Sequence, residues 1–288
     1  MTMITSAANP RMKRIIQLQR QAKARVAERA FVIEGVKLFL EAPADLFKEV
    51  YITQNFYAKY AEADQEVMGK LSSFPYELVG DDVLNRIADT QSPQGIVCVL
   101  KQMNHGWPGV VDNHQNESIC LNQISSDWDN ASLNRDKVPL YLVLEDLQDP
   151  GNLGTIFRTA EAAGVTGIIM SRGCADIYNP KTVRATMGSV FRVPFIYADD
   201  LIAVISDLIN RNINVYATCL DGAEAYDNYN YQGGTAFLIG NEGQGLSEMV
   251  KAKVSQRVLI PMMGAVESLN AATAAAVLLY EVARQRGF

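Results

Sequence analysis

The sequence predicts a two-domain α/β protein, and three observations predict it. Short β-rich runs alternate with helical stretches in both halves, and a polar stretch separates the halves. The second half opens on PLYLVLEDL, a near-continuous apolar run of the kind buried on both faces of a parallel sheet. The 288 residues suit one large or two ordinary domains, and 48% hydrophobic against 20% charged residues suffices for a packed core.

In chain order, residues 10–23 read as a helix with proline near its start and Ile15, Ile16 and Leu18 facing inward. The strands FVIEG, KEVYIT, YELVG and GIVCVL then alternate with the helices VKLFLEA, FYAKYAEA and DDVLNRIAD, as in a small α/β domain. The stretch 103–138 is rich in Asn, Asp, Ser and Gly, too long for an ordinary loop inside one domain. It divides the chain into a first domain at 1–102, a linker at 103–138 and a second domain at 139–288. The second domain reads as strands at PLYLVLEDL, TGIIMS, FIYA, INVYAT, TAFLIGN and QRVLIP, with helices at NLGTIFRTAEAAG, DDLIAVISDLINR and SLNAATAAAVLLYEVARQR. No internal repeat is present.

Composition excludes several chemistries. Cys98, Cys120, Cys174 and Cys219 are scattered without a C-x-x-C pair, and His105 and His114 lie in one irregular stretch, so neither a disulfide framework nor a metal site is expected. No apolar run reaches membrane-spanning length and the first residues form no signal peptide, which predicts a soluble, cytoplasmic protein. The formal charge is −6, yet residues 1–40 hold eight basic and two acidic side chains. Such a patch can grip phosphates on an acidic protein, or it can be a solvated helix face.

Three segments carry chemistry. In DPGNLGTIFRTAEAAG, Asn152 stands where a helix cap belongs and Arg158 lies nearly two turns further in; the end suits an anion, or it is an ordinary capped turn with a surface arginine. In FLIGNEGQGLS, Gly240, Gly243 and Gly245 follow a strand without the pattern of a Walker loop, and Glu242 favours a positively charged ligand such as a sulfonium. In VLIPMMGAVESLNAATAAAVLLYE, Ser268 and Asn270 stand at the entrance of a helix whose small residues suit a crowded core or a subunit interface.

Together and in this order, the segments resemble the signature motifs of the SpoU/TrmH branch of the SPOUT RNA methyltransferases, which methylate a ribose 2′-hydroxyl from S-adenosylmethionine. The first motif contains Asn152, Arg158, Thr159 and Ala160; the second is GNEGQG; the third is IPM-x-G followed by SLNAATAAAVLLYE. RATMGSVFRVPF, residues 184–195, fits the family's middle segment. NPRMKRIIQLQRQAKAR, FVIEG and VKLFLEA resemble the L30e-like substrate-binding domain found on many of these enzymes. The chain departs from many relatives in SLNAATAAA, where they carry a Val or Ser run, and in the long polar segment.

The resemblance implies a SPOUT-type domain with a trefoil knot and a parallel sheet, preceded by the smaller L30e-like domain, and a homodimer through the last helix with part of the first motif helix. It implies that Arg158 positions the substrate and stabilises the charge developing on its oxygen, in its own subunit or at the partner subunit's cofactor, or acts deprotonated as the base. Asn152 would fix the target ribose or phosphate, Glu242 would orient Arg158 or the substrate, and Ser268 and Asn270 would shape the pocket and reach the ribose. S-adenosylmethionine would lie against Leu238, Gly240, Asn241, Gly243, Ile260, Met262 and Leu269, without a metal. Arg11, Lys13, Arg14, Arg20, Lys23 and Arg25 would contact RNA phosphates. Ribosomal RNA is favoured because the first domain resembles a ribosomal-protein fold; a transfer-RNA ribose methylase and a non-catalytic RNA-binding protein are the alternatives, the retained motif residues arguing against the latter.

Overall fold

A computed structural model describes residues 3–103 and 138–287. The described residues divide into two compact units, the first combining 3–103 with 176–191 and the second holding 138–175 and 192–287. Segment 176–191 was expected within the second domain. His105, His114 and Cys120 lie outside the described residues, as does the interior of the linker.

The first unit opens on helix α1 (Pro10–Arg20), capped by the Asn9 side chain, and α2 (Ala22–Glu28). These replace the single expected helix: Gln21 is extended, at φ −121° and ψ 113°. The break is supported by Arg25, whose guanidinium donates to the Leu18 and Gln19 carbonyls at 2.7 and 3.0 Å, satisfying acceptors that the helix end leaves open. Strands β1 (Ala30–Glu34), β2 (Phe47–Ile52), β3 (Tyr76–Leu78) and β4 (Ile96–Lys101) form a mixed sheet in the order β1-β4-β2-β3. Helices α3 (Val36–Glu41), α4 (Gln54–Ala61), α5 (Gln65–Ser72) and α6 (Asp81–Ile87) connect them. Met12, Ile15 and Leu18 of α1 pack with Val32, Tyr51, Val97 and Val99 of the sheet, while Ile16 is only half-buried.

Segment 176–191, with α7 (Pro180–Thr186), joins this unit through specific groups. Asp176 pairs with Arg25 at 2.7 Å, Tyr178 exchanges hydrogen bonds with the Met103 backbone and sets its ring against Phe31 at a 40° tilt, and Arg184 meets Asp89.

The second unit is built on seven parallel strands: β5 (Leu140–Leu144), β6 (Gly167–Ser171), β7 (Phe195–Ala198), β8 (Asn214–Thr218), β9 (Glu224–Ala225), β10 (Thr235–Ile239) and β11 (Gln256–Leu259). Their order is β7-β6-β5-β10-β8-β11-β9. Because β10 pairs with both β5 and β8, the loops leaving those three strands stand side by side at one edge. Helix α8 (Pro150–Ala162) follows β5, and α9 (Leu201–Asn210) buries Leu201, Val204, Ile205 and Leu208 against Val143, Ile169, Val215 and Leu238. Each such side chain contributes about 1.5–3 kcal/mol on burial. Helix α10 (Glu248–Lys253) leads into β11, and the last helix α11 (Ala271–Gln285) lies against α8.

Candidate active site

The first-motif helix is capped by Asp149, whose carboxylate accepts the Asn152 N–H at 2.7 Å, with Pro150 in the first helical position. Asn152, expected as the cap, stands one turn inside instead. This frees its side chain for other elements. Its Nδ2 donates to Glu242 Oε1 at 3.1 Å, and its Oδ1 accepts from Asn270 Nδ2 at 2.8 Å. Asn270 is itself the cap of α11, its Oδ1 accepting from the Ala272 and Thr273 amides. One hydrogen-bonded chain, Glu242 to Asn152 to Asn270, therefore joins the three motif segments.

Glu242 also accepts the amides of Gln148 and Asp149 at 3.1 and 3.0 Å. Burial works to raise its pKa, but these amides, the Asn152 side chain and its own backbone N–H outweigh that and hold the carboxyl below its ordinary range. Neighbouring Asn241 shapes the turn: its Oδ1 accepts from the Gly243 and Gln244 amides, and its Nδ2 donates to the Asp146 carbonyl at 2.8 Å. Two glycines are required here for separate reasons. A Cβ on Gly240 would lie 2.2 Å from the Gly245 carbonyl carbon, and Gly245 adopts φ +69°. Gly243 is held by neither constraint, since a Cβ there would make only an ordinary contact.

The loops surround a cleft of about 920 Å³, the size of a small-molecule site. Asn152, Gly240, Asn241, Glu242, Gly243, Ile260, Met262, Ser268, Leu269 and Asn270 all line it. Leu238 does not: it is fully buried within β10, and its carbonyl accepts the Thr218 hydroxyl at 2.7 Å. The sequence reading missed Asp149, Thr218, Cys219, Leu220, Asp221 and Lys251, which also line the cleft. The signal for Thr218 to Asp221 was topological: they leave a parallel strand adjacent to β10. Ser268 is exposed at the cleft.

Arg158 is absent from the lining. Six residues after Asn152, it lies about 9 Å further along α8 and about 120° around it. It is exposed, and among the described residues it makes no hydrogen bond or ion pair.

The six N-terminal cations separate into two groups. Arg25 is buried and paired with Asp176, so it is not available to a phosphate. Arg14 sits between Glu28 and Glu49, and Arg11 pairs with Glu77. Lys13, Arg20 and Lys23 are exposed.

Chemically, the cleft combines the carboxylates of Asp149, Asp221, Glu242 and Glu267 with an apolar wall of Leu220, Ile239, Ile260, Leu269 and Leu278. That set repels a triphosphate and accommodates a ligand with a positive centre, adjoining apolar surface and groups for backbone hydrogen bonds. Among the described residues, no group of three or more His, Cys, Asp or Glu side chains could hold a metal ion.

Residues 139–280 match the SpoU rRNA Methylase family, and residues 9–98 match the MRM3-like substrate binding domain, where the sequence reading expected an L30e-like domain. An uncharacterized tRNA/rRNA methyltransferase of Synechocystis sp. is 33% identical, covering 98% of this chain and 94% of the relative. The 23S rRNA (guanosine(2553)-2'-O)-methyltransferase RlmP of Bacillus subtilis is 29% identical, covering 98% and 99%. Among solved structures, the AdoMet-bound rRNA methyltransferase from Sinorhizobium meliloti aligns with a TM-score of 0.76 at 29% identity, covering 98% of this chain and 97% of that one. The SpoU methyltransferase AviRb from Streptomyces viridochromogenes, in complex with AdoMet, aligns with a TM-score of 0.77 at 25% identity, covering 96% and 98%.

Proposed function

This chain belongs to the SpoU rRNA methylase family, and from that premise we propose that it methylates a ribose 2′-hydroxyl of RNA, ribosomal in preference to transfer RNA, using S-adenosylmethionine. The observation that carries this reading is the chain from Glu242 through Asn152 to Asn270, which binds the three motif segments together beside a cleft of the right size and charge.

The cofactor supplies a methyl group made electrophilic by the adjoining sulfonium. Backbone groups around Gly240 to Gly243, Ile260 to Met262 and Leu269 hold it, with the carboxylates of the cleft offsetting its positive centre. Glu242 is a poor choice of base, because its charge is engaged by three neighbouring donors. Its part is to hold the first-motif turn. Asn152 and Asn270 each keep one amide hydrogen beyond those already used, and the Ser268 hydroxyl lies at the same cleft; together they orient the ribose. Arg158, exposed on α8 away from this cleft, serves the cleft of a second subunit in a homodimer formed through α8 and α11, steadying the RNA phosphate and the charge developing on the attacking oxygen.

Lys13, Arg20 and Lys23 contact phosphates from the first unit. No helix among the described residues is long and apolar enough to cross a membrane, and we place the protein in the cytoplasm with its RNA.

The test is transfer from radiolabelled S-adenosylmethionine to total RNA, followed by alkaline digestion and mapping of the labelled nucleotide. Label in an alkali-resistant linkage of ribosomal RNA is expected. Label confined to bases, or no transfer, rejects the reading.

A further inference from the structure

The methyl donor brings both a positive sulfonium and a negative α-carboxylate, and the cleft is unequally equipped for the two. Four carboxylates line it, but Lys251 is the single cation among its described lining residues. Lys251 stands on α10 beside the loop that leaves β8, where its charge acts on Cys219 and Asp221. Glu242 is bound instead to the loop leaving β5. With β10 between them, the two loops stand about 10 Å apart, at two strand spacings. A negative ligand group therefore finds its counter-charge at Lys251, beside Asp221, while Glu242 stands on the far side of β10.

The surroundings of Lys251 distinguish it from a surface cation. Its side chain is 15% exposed, whereas that of Glu248, its ion-pair partner one turn earlier, is 88% exposed. The partner is a solvated carboxylate, which a ligand carboxylate can replace without leaving a charge buried alone. An extended RNA backbone would need a more open cation, as Lys13, Arg20 and Lys23 are.

Building on the methyl-donor reading of this cleft, we propose that Lys251 binds the α-carboxylate of the cofactor's amino-acid arm and so selects a thioether or sulfonium that carries the intact amino acid over a bare adenosyl thioether. It is a specificity-determining residue, separate from the motif residues at the reacting end.

Isothermal titration with two probes tests this: S-adenosylhomocysteine, which has the carboxylate, and 5′-methylthioadenosine, which does not. Lys251→Met is expected to weaken S-adenosylhomocysteine about tenfold or more, the scale of losing a charged hydrogen bond, while changing methylthioadenosine less than about twofold. Lys251→Arg restores most of the loss, and Glu248→Gln leaves affinity equal or tighter. Equal weakening of both probes would assign Lys251 a merely structural role and overturn the proposal, as would unchanged S-adenosylhomocysteine affinity. If the unsubstituted protein binds neither probe, the methyl-donor reading itself fails.

Discussion

The Glu242 carboxylate accepts two backbone amides and one side-chain amide, so its charge stabilises the turn from which the first-motif helix departs. Because its folded pKa lies below the unfolded value, that contribution is complete above the ordinary carboxylate pKa of about 4.3 and is lost as pH falls through the lower folded value. Urea denaturation of the protein and of Glu242→Gln should show a stability gap at pH 7 that closes towards pH 3; a gap independent of pH would mean that the charge is irrelevant. Arg158 presents the opposite case, a charge with no partner among the described residues and therefore available to a substrate. Arg158→Ala should leave S-adenosylhomocysteine affinity intact while slowing methylation by about two orders of magnitude or more, the scale of removing one preorganised transition-state donor. Arg158→Lys separates charge from geometry, since lysine lacks the planar fork. Turnover near that of the unsubstituted protein in the alanine variant would remove Arg158 from the mechanism.

At the level of elements, Arg25 illustrates why residue type alone misassigns function. In sequence it belongs to a run of cations on a helix; in the fold it closes the α1 terminus and pairs with Asp176. Arg25→Ala is expected to destabilise the protein by about 3 kcal/mol, since removing one partner strands a largely buried charge, while leaving the salt dependence of RNA binding unchanged. A shallower salt slope in a protein of unaltered stability would return Arg25 to the phosphate-binding set. The long strands of both units were legible, because apolar runs and alternation are direct consequences of burial; β5, β7 and β10 lie within the expected segments. The helices α5, α7 and α10 were not read, although α3, α4 and α6, of the same six to eight residues, were. Within the site, Gly240, Asn241, Ser268 and Asn270 were legible from motif chemistry. Thr218 to Asp221 and Lys251 were not, because only the pairing of β8 with β10 brings their loops to the cleft. For Asn152 the limit is local: spacing identified a helix start but not which of the two capping-type residues, Asp149 or Asn152, closes it.

At the scale of the whole molecule, charge is concentrated where contact with RNA is expected. Residues 1–40 carry an excess of basic groups within a chain of net charge −6; of the exposed members of the predicted set, Arg11 is paired with Glu77, which leaves Lys13, Arg20 and Lys23. Neutralising all three should flatten the slope of log affinity against log salt by about two to three units; no change would place the phosphate contacts elsewhere. The placement of Arg158 raises the remaining question of how many chains build one catalytic centre. Asn152 and Asn270 line the cleft of their own chain, but Arg158 does not. If a second subunit supplies it, an Arg158→Ala chain still has an intact cleft, and an Asn270→Ala chain still presents an intact Arg158. Co-expression of the two inactive variants should therefore yield mixed dimers with one complete site and recover up to about half the activity per mixed dimer, because each C2 interface offers both combinations. Sedimentation should show a species at twice the 31.7 kDa chain mass. Dimers that form but recover no activity would reject the shared site, and monomers alone at micromolar concentration would reject the assembly on which it depends.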